Sequence, residues 1–160
     1  MPSKMPNWTK KFGYGEFIHL EERNCKACMM KGDKVFRQVD KNTFDAVTRN
    51  EECHSFGVTT QVLSTIPVLF NYWAKPADAL ETSRFFNDHI AETITKHPDC
   101  FIGLGTVPMQ DVDLAIKEME RCVKELIMPG LEIGTNVNGK NLSEKEFFPF
   151  FEAAENLGCA

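Results

Sequence analysis

No run of basic residues longer than two occurs anywhere in the 160-residue sequence. Lys and Arg number 18 against 23 Asp and Glu, a formal net charge of −5. Such a balance offers no phosphate-neutralising stripe, so neither nucleic acid nor an anionic membrane surface is an expected partner. No apolar run approaches the length of a bilayer span. The opening residues, "MPSKMPNWTKKFGYG", hold no apolar core of signal-peptide length, which makes the cytoplasm the expected compartment. Internal repeats and low-complexity tracts are also missing. The four histidines, His19, His54, His89 and His97, are never spaced as His-x-His or His-x-x-x-His. From the residues alone, then, no metal ligand and no catalytic histidine is assigned. Exposed or helix-capping roles fit them better, above all for His97 at a helix end, where a cation suits the dipole.

What is present fits one soluble globular domain, residues 1–160, with a substantial core: 42% hydrophobic residues, 26% charged and 13 Phe. The cysteines are even in number, at 25, 28, 53, 100, 122 and 159. A disulfide framework belongs to small secreted chains, so free thiols in a reducing compartment are expected instead. One alternative is a small zinc-binding module using Cys25-x-x-Cys28 with Cys53 and His54. Cys53 and His54 are neighbours, however, and cannot readily both reach one ion.

Apolar runs and amphipathic stretches alternate along the chain. Residues 1–42 read as a long loop with a hairpin in "MMKGDKVFRQV", turning at Gly32-Asp33, and residues 43–56 as weakly helical. A strand is expected over 58–64. A helix then runs from Pro76, tolerated in a first turn, to about Lys96, where His97-Pro98 ends it. A second strand covers 101–107. Residues 111–126 give the clearest helix: Val112, Ala115, Ile116, Met119, Cys122, Val123 and Leu126 form one apolar stripe. Asp113–Lys117 and Glu120–Lys124 pair on its other face. A third strand is expected over 130–135. Ser143 and Glu146 have capping-box spacing, opening a last helix whose buried side would hold Phe147, Phe148, Phe150, Phe151, Ala154 and Leu157.

Strand and helix in strict alternation imply a parallel sheet with crossover helices. The three to four βα units over 43–160 amount to part of a TIM-type (β/α)8 barrel, which usually needs about 250 residues. Within "FIGLGTVPMQ", residues 101–110, Gly103 and Gly105 lie inside the apolar run and no third glycine opens a helix. A dinucleotide loop is therefore disfavoured, and close packing is the expected use of the two glycines. Arg37, in "KVFRQV", is the residue that stands out. Flanked by Val35, Phe36 and Val39, its guanidinium would be partly enclosed and could fork onto a carboxylate, with a surface salt bridge as the alternative. Phe70, Tyr72 and Trp73 follow the first strand, where they could wall a planar substrate or pack the barrel top.

The segments "KKFGYGEFIHL", "KVFRQV", "GVTTQVLSTIPVLFNYWAKP", "FIGLGTVPMQ", "LAIKEMERCVKEL" and "GLEIGTNVN" resemble, in this order and over nearly the whole chain, the aminocarboxymuconate-semialdehyde decarboxylase family of the amidohydrolase superfamily. The resemblance implies a distorted (β/α)8 barrel holding a divalent metal, usually Zn2+. It implies non-oxidative decarboxylation of a small-molecule substrate, 2-amino-3-carboxymuconate 6-semialdehyde. It also implies a place in tryptophan catabolism by the kynurenine pathway, limiting quinolinate and NAD synthesis. Arg37 matches the family's carboxylate-binding arginine, and Phe36 would help wall the pocket. Asp45, Arg49 and Gly57 match as well, while His54 stands where family members usually have Asp. The metal histidines, the acid/base histidine and the metal aspartate of the family fall outside the 160 residues. The expectation is a chain catalytically incomplete alone, with no metal ligand of its own, and a homo-oligomer or a full-length paralogue as possible partner.

Overall fold

The structure is a computed structural model and describes residues 1–23 and 26–160. It divides into two compact units, Met1–Thr60 and Gln61–Ala160.

In the first unit Asn7 opens α1 (Trp8–Phe12), its side chain accepting from the Lys10 N–H at 2.9 Å. The helix ends at Gly13, whose φ of +76° suits glycine. Trp8 stacks on Phe12, and Phe12 meets Phe17 edge to face. Three antiparallel strands follow: β1 (Ile18–Arg23), β2 (Lys26–Lys31) and β3 (Lys34–Val39), in the order β1-β2-β3. The central strand buries Ala27, Cys28, Met29 and Met30. The hairpin at Gly32-Asp33 is where the sequence places it, with Gly32 at φ +57°. Strands on both sides of it replace most of the expected long loop. The helix α2 (Ala46–Ser55) is capped by Asp45, which accepts from the Thr48 N–H at 2.7 Å. No residue of α2 is fully buried.

The second unit carries the parallel sheet. Its strands β4 (Gln61–Leu63), β5 (Phe101–Gly105) and β6 (Gly130–Leu131) lie side by side in sequence order. Two helices cross between them: α3 (Pro76–Lys96) and α4 (Val112–Lys124). All three strands are shorter than the expected runs, and at the end of β5 the Asn87 side chain takes over the bonding of Thr106. Ala160 lies beside β6: its N–H donates to Pro129 O, and its carbonyl accepts from Leu131 N. This α/β arrangement is part of a (β/α)8 barrel.

The glycines of β5 serve packing. A Cβ on Gly103 would sit 2.6 Å from Ile90 of α3, and one on Gly105 would sit 2.7 Å from the Cys122 Sγ of α4. Both glycines let a helix lie directly on the sheet. On the sheet's other face Val62 and Ile102, partners across the ladder, are 59% and 42% exposed.

Beyond β6 the structure departs from the expected single strand. Two-residue strands β7 (Asn136–Val137) and β8 (Lys140–Asn141) form a tight hairpin through Asn138-Gly139, both at positive φ. The last helix, α5, spans Phe148–Leu157 after one 3-10 turn at Lys145–Phe147. Ser143 does not cap it. Glu146 bonds Lys140 at 2.8 Å instead, and Glu144 accepts from the Asn141 N–H. The 3-10 turn also sets which phenylalanines face inward. Phe147 and Phe150 are buried, whereas Phe148 and Phe151 are exposed, against the expectation that all four pack.

Candidate functional site

Sites in parallel α/β folds gather where strands end in loops toward their C-termini. Here the exits of β4, β5 and β6 are laced together. Tyr72, after β4, accepts at its hydroxyl from the Gly134 N–H beyond β6, at 3.1 Å. Asn138 of the small hairpin donates to Tyr72 O at 2.7 Å. Gln110, after β5, donates to Asn71 O and Ala74 O at 3.3 and 3.1 Å. Burial pushes the Tyr72 hydroxyl up to about 12, and the Gly134 N–H, which favours the phenolate, offsets only part of that. Phe70 and Tyr72 stack at 5.4 Å in the core beneath these loops. Of the aromatic group after β4, two members therefore pack the barrel top, and Trp73 alone is half-exposed.

One layer further out lies a buried polar cluster. Asn87 of α3 clamps the backbone where β5 ends: its Oδ1 accepts from the Thr106 N–H at 2.8 Å and its Nδ2 donates to Thr106 O at 2.9 Å. The same amide nitrogen donates to Glu118 Oε1 at 2.8 Å. Glu118 is fully buried and held by Arg84 at 2.9 Å and Arg121 at 2.7 Å. Arg121 also reaches Asp88 at 2.7 Å. Hydrogen bonds to Glu118, first of all, hold its guanidinium more firmly protonated than usual. Sequence reasoning missed Glu118. Its position beside the apolar stripe of α4 was the available signal, but of its partners only Arg121 shares that helix, while Arg84 and Asn87 come from α3. At the same exits the oxygens Thr65 Oγ1, Thr106 Oγ1 and Gln110 Oε1 are buried without a hydrogen-bond partner among the described residues. Atoms of that kind are ordinarily met by ordered water or a ligand group.

Arg37 and Phe36 lie in the first unit, on β3. Arg37 is exposed rather than partly enclosed, as are all its β3 neighbours from Lys34 to Gln38. It makes no ion pair or hydrogen bond among the described residues, so the salt-bridge alternative has no partner there. Phe36 is 48% exposed beside it.

The described residues assemble no metal centre. Among the described residues no group of three or more His, Cys, Asp or Glu could hold an ion. His19 bonds Glu21 at 3.0 Å, and His54 stands exposed on α2. His89 is half-buried on α3, where burial lowers its pKa. His97 follows α3 with its ring edge-on to Phe101. These residues do not fit the Zn2+ that the resemblance implies. For the small zinc module, Cys25 lies outside the described residues, and Cys28 and Cys53 are in no disulfide among the described residues. Cys100, Cys122 and Cys159 are in none either. Burial pushes the Cys122 thiol up to about 12, so it is inert at neutral pH. No helix among the described residues is long and apolar enough to cross a membrane.

Comparison with known proteins completes the picture. The Amidohydrolase family profile matches residues 42–160. The chain is 48% identical, over its whole length, to 2-amino-3-carboxymuconate-6-semialdehyde decarboxylase of Dictyostelium discoideum, of which it covers 45%. It therefore spans about half the length of the curated relatives it matches. Among solved structures it resembles 5-carboxyvanillate decarboxylase from Sphingomonas paucimobilis, at 34% identity and a TM-score of 0.66, over 71% of this chain and 33% of that one. A dihydroxybenzoic acid decarboxylase from Polaromonas sp. JS666, solved with bound manganese and the inhibitor 2-nitroresorcinol, is similar at 32% identity and a TM-score of 0.61. That likeness covers 71% of this chain and 35% of that one.

Proposed function

The chain belongs to the amidohydrolase family, and from that premise we propose that it serves as a segment of a metal-dependent carboxy-lyase acting on 2-amino-3-carboxymuconate 6-semialdehyde. The observation that carries this reading is 48% identity across the whole chain to a decarboxylase of that substrate. The reaction is non-oxidative: the carbon–carbon bond to a carboxylate breaks, carbon dioxide leaves, and a proton takes its place. Its pathway is tryptophan catabolism through kynurenine, in the cytoplasm, where it draws carbon away from quinolinate and NAD synthesis.

The part this chain plays is recognition. The exposed Arg37 guanidinium presents a planar fork that matches a carboxylate and holds it in a fixed orientation. The half-exposed ring of Phe36 offers a flat apolar wall for a conjugated substrate. A divalent metal, zinc by resemblance, supplies Lewis-acid chemistry in such enzymes, and its donors are not among the described residues. The 160-residue chain alone is therefore expected to release no carbon dioxide from the semialdehyde when zinc or manganese is added. Metal-dependent turnover by the purified chain would sink that expectation.

A second reading rests on the sheet face bearing Val62 and Ile102. Two exposed apolar side chains across paired strands favour association with a second copy of this chain or with a full-length paralogue. Light scattering behind a sizing column should then report a dimer, and a monodisperse monomer at high concentration would dismiss it.

A further inference from the structure

Among the described residues, the buried side-chain oxygens left without a hydrogen-bond partner are Thr65 Oγ1, Thr106 Oγ1 and Gln110 Oε1. They are not scattered over the molecule. Strands β4 and β5 run parallel with Leu63 facing Gly103, so Thr65 and Thr106 leave the sheet at the exits of two adjoining strands. Gln110 spans the same two exits, its Nε2 donating to Asn71 O and Ala74 O at 3.3 and 3.1 Å. Carbonyls only accept, which fixes the amide with its nitrogen toward them. Its Oε1 is then a pure acceptor in need of a donor.

Thr106 is the most firmly built of the three. The residue is 0% exposed, and Thr65 is 5% exposed. A single amide, that of Asn87, binds both the N–H and the carbonyl of Thr106, at 2.8 and 2.9 Å. The second proton of the same amide goes to Glu118 Oε1 at 2.8 Å. Glu118 is itself held by Arg84 and Arg121, so it can only accept, and the amide cannot turn over. Backbone clamped in this way cannot shift to find the hydroxyl a protein partner. Packing does not call for the hydroxyl either. Val107 and Met109, which follow in the chain, are buried and apolar, and valine would fill the volume of Thr106 equally well. A hydroxyl left dry there would cost stability and return nothing. Buried oxygens of this kind are ordinarily met by internal water, which makes about three hydrogen bonds.

We propose that the exits of β4 and β5 enclose a hydration site, in which resident water binds the Thr106 hydroxyl and serves Thr65 Oγ1 and Gln110 Oε1 at the same exits. The ligand it takes is a small neutral molecule able both to donate and to accept. Donation is obligatory toward Gln110 Oε1, while the two threonine hydroxyls rotate to suit. An anion has nothing to donate and is excluded. Water held here joins the loop after β4 to the loop after β5, and such bridges are nearly as good as direct hydrogen bonds.

A high-resolution crystal structure of the full chain, together with thermal unfolding of Thr106→Val, tests the site. Ordered water is expected within hydrogen-bond distance of Thr106 Oγ1, Thr65 Oγ1 and Gln110 Oε1. Thr106→Val keeps the shape and removes the hydroxyl, so the two cases give opposite signs. With water resident, the midpoint should fall by about 3 °C, because the water loses a partner. With a dry hydroxyl, the midpoint should rise, because an unsatisfied group has gone. Should Thr106→Val fail to fold, the density in the parent chain decides. A dry Thr106 Oγ1 in the parent, or a midpoint unchanged or raised in Thr106→Val, overturns the proposal. Water at Thr106 alone, with Thr65 Oγ1 and Gln110 Oε1 dry, overturns the shared site.

Discussion

Strands β3 and β5 are nearly equal in length, six residues and five. In β3 the residues from Lys34 to Gln38 are exposed, and the arginine there has no partner among the described residues. In β5 the odd positions, Phe101, Gly103 and Gly105, are buried against helices, and its end is clamped by Asn87. By motif, β5 looks the more functional, since Gly-x-Gly suggests a phosphate loop. Its glycines turn out to be spacers under α3 and α4. By motif, β3 looks ordinary, and it is the strand that leaves a guanidinium free. Residues satisfied by packing hold the fold, and residues left unsatisfied at an edge are the ones available to a ligand.

That contrast can be broken most severely by alkali. Burial raises Cys122 from an ordinary 9.0 and Tyr72 from 10.0, both to about 12, and both lie in the second unit. A folded-state pKa raised in this way means stability is whole below pH 9 and is lost as pH climbs toward 12. Three units on the thiol correspond to ~4 kcal/mol. Thermal midpoints should fall steeply over that window, and Cys122→Ala should flatten the fall. A midpoint independent of pH between 9 and 12 would contradict the burial of both groups.

Next in size is Glu118→Ala. It strips Arg84, Arg121 and Asn87 of a shared acceptor and should cost about 3 kcal/mol, near the low end for a broken buried pair because both guanidinium groups reach solvent. Denaturant unfolding measures it, and a loss below about 1 kcal/mol would show that the cluster is merely decorative. Gly105→Val should follow at about 2 kcal/mol, since the new Cβ would meet Cys122 Sγ at 2.7 Å and Leu131 at 2.9 Å. Arg37→Ala should be the smallest, within about 0.5 kcal/mol of the parent, as for exposed residues outside the core. A large loss there would reveal a structural role for Arg37 and end the contrast with β5.

Parts of this architecture were legible residue by residue. The span Pro76–Lys96 was readable to both ends, because proline suits a first turn and His97-Pro98 stops a helix. Asp111, expected at the head of α4, caps it by accepting from the Leu114 N–H at 3.0 Å. Asn138-Gly139 carried a hairpin signal that sequence reading passed over, since the flanking strands are only two residues long. The candidate site was legible as a residue type, a lone Arg beside Phe in a strand-like segment. Its exposure was not, because that depends on what packs against β3 once the chain has folded. Ser143 misled for a related reason: its capping-box spacing competes with a Glu146–Lys140 ion pair that only the hairpin creates.

What the sequence by itself determined are the local matters: helix spans, caps, the Gly32-Asp33 turn, the alternation that makes a parallel sheet, and the family resemblance. These follow from residues within a few positions of each other, whose preferences act before distant partners meet. Tertiary structure alone decided that Glu118 goes inside, that Phe148 faces out, and that Phe36 is the extra residue in the ladder between β2 and β3. Each depends on a neighbour remote in sequence or on another strand, and burial and register exist only once those partners have come together.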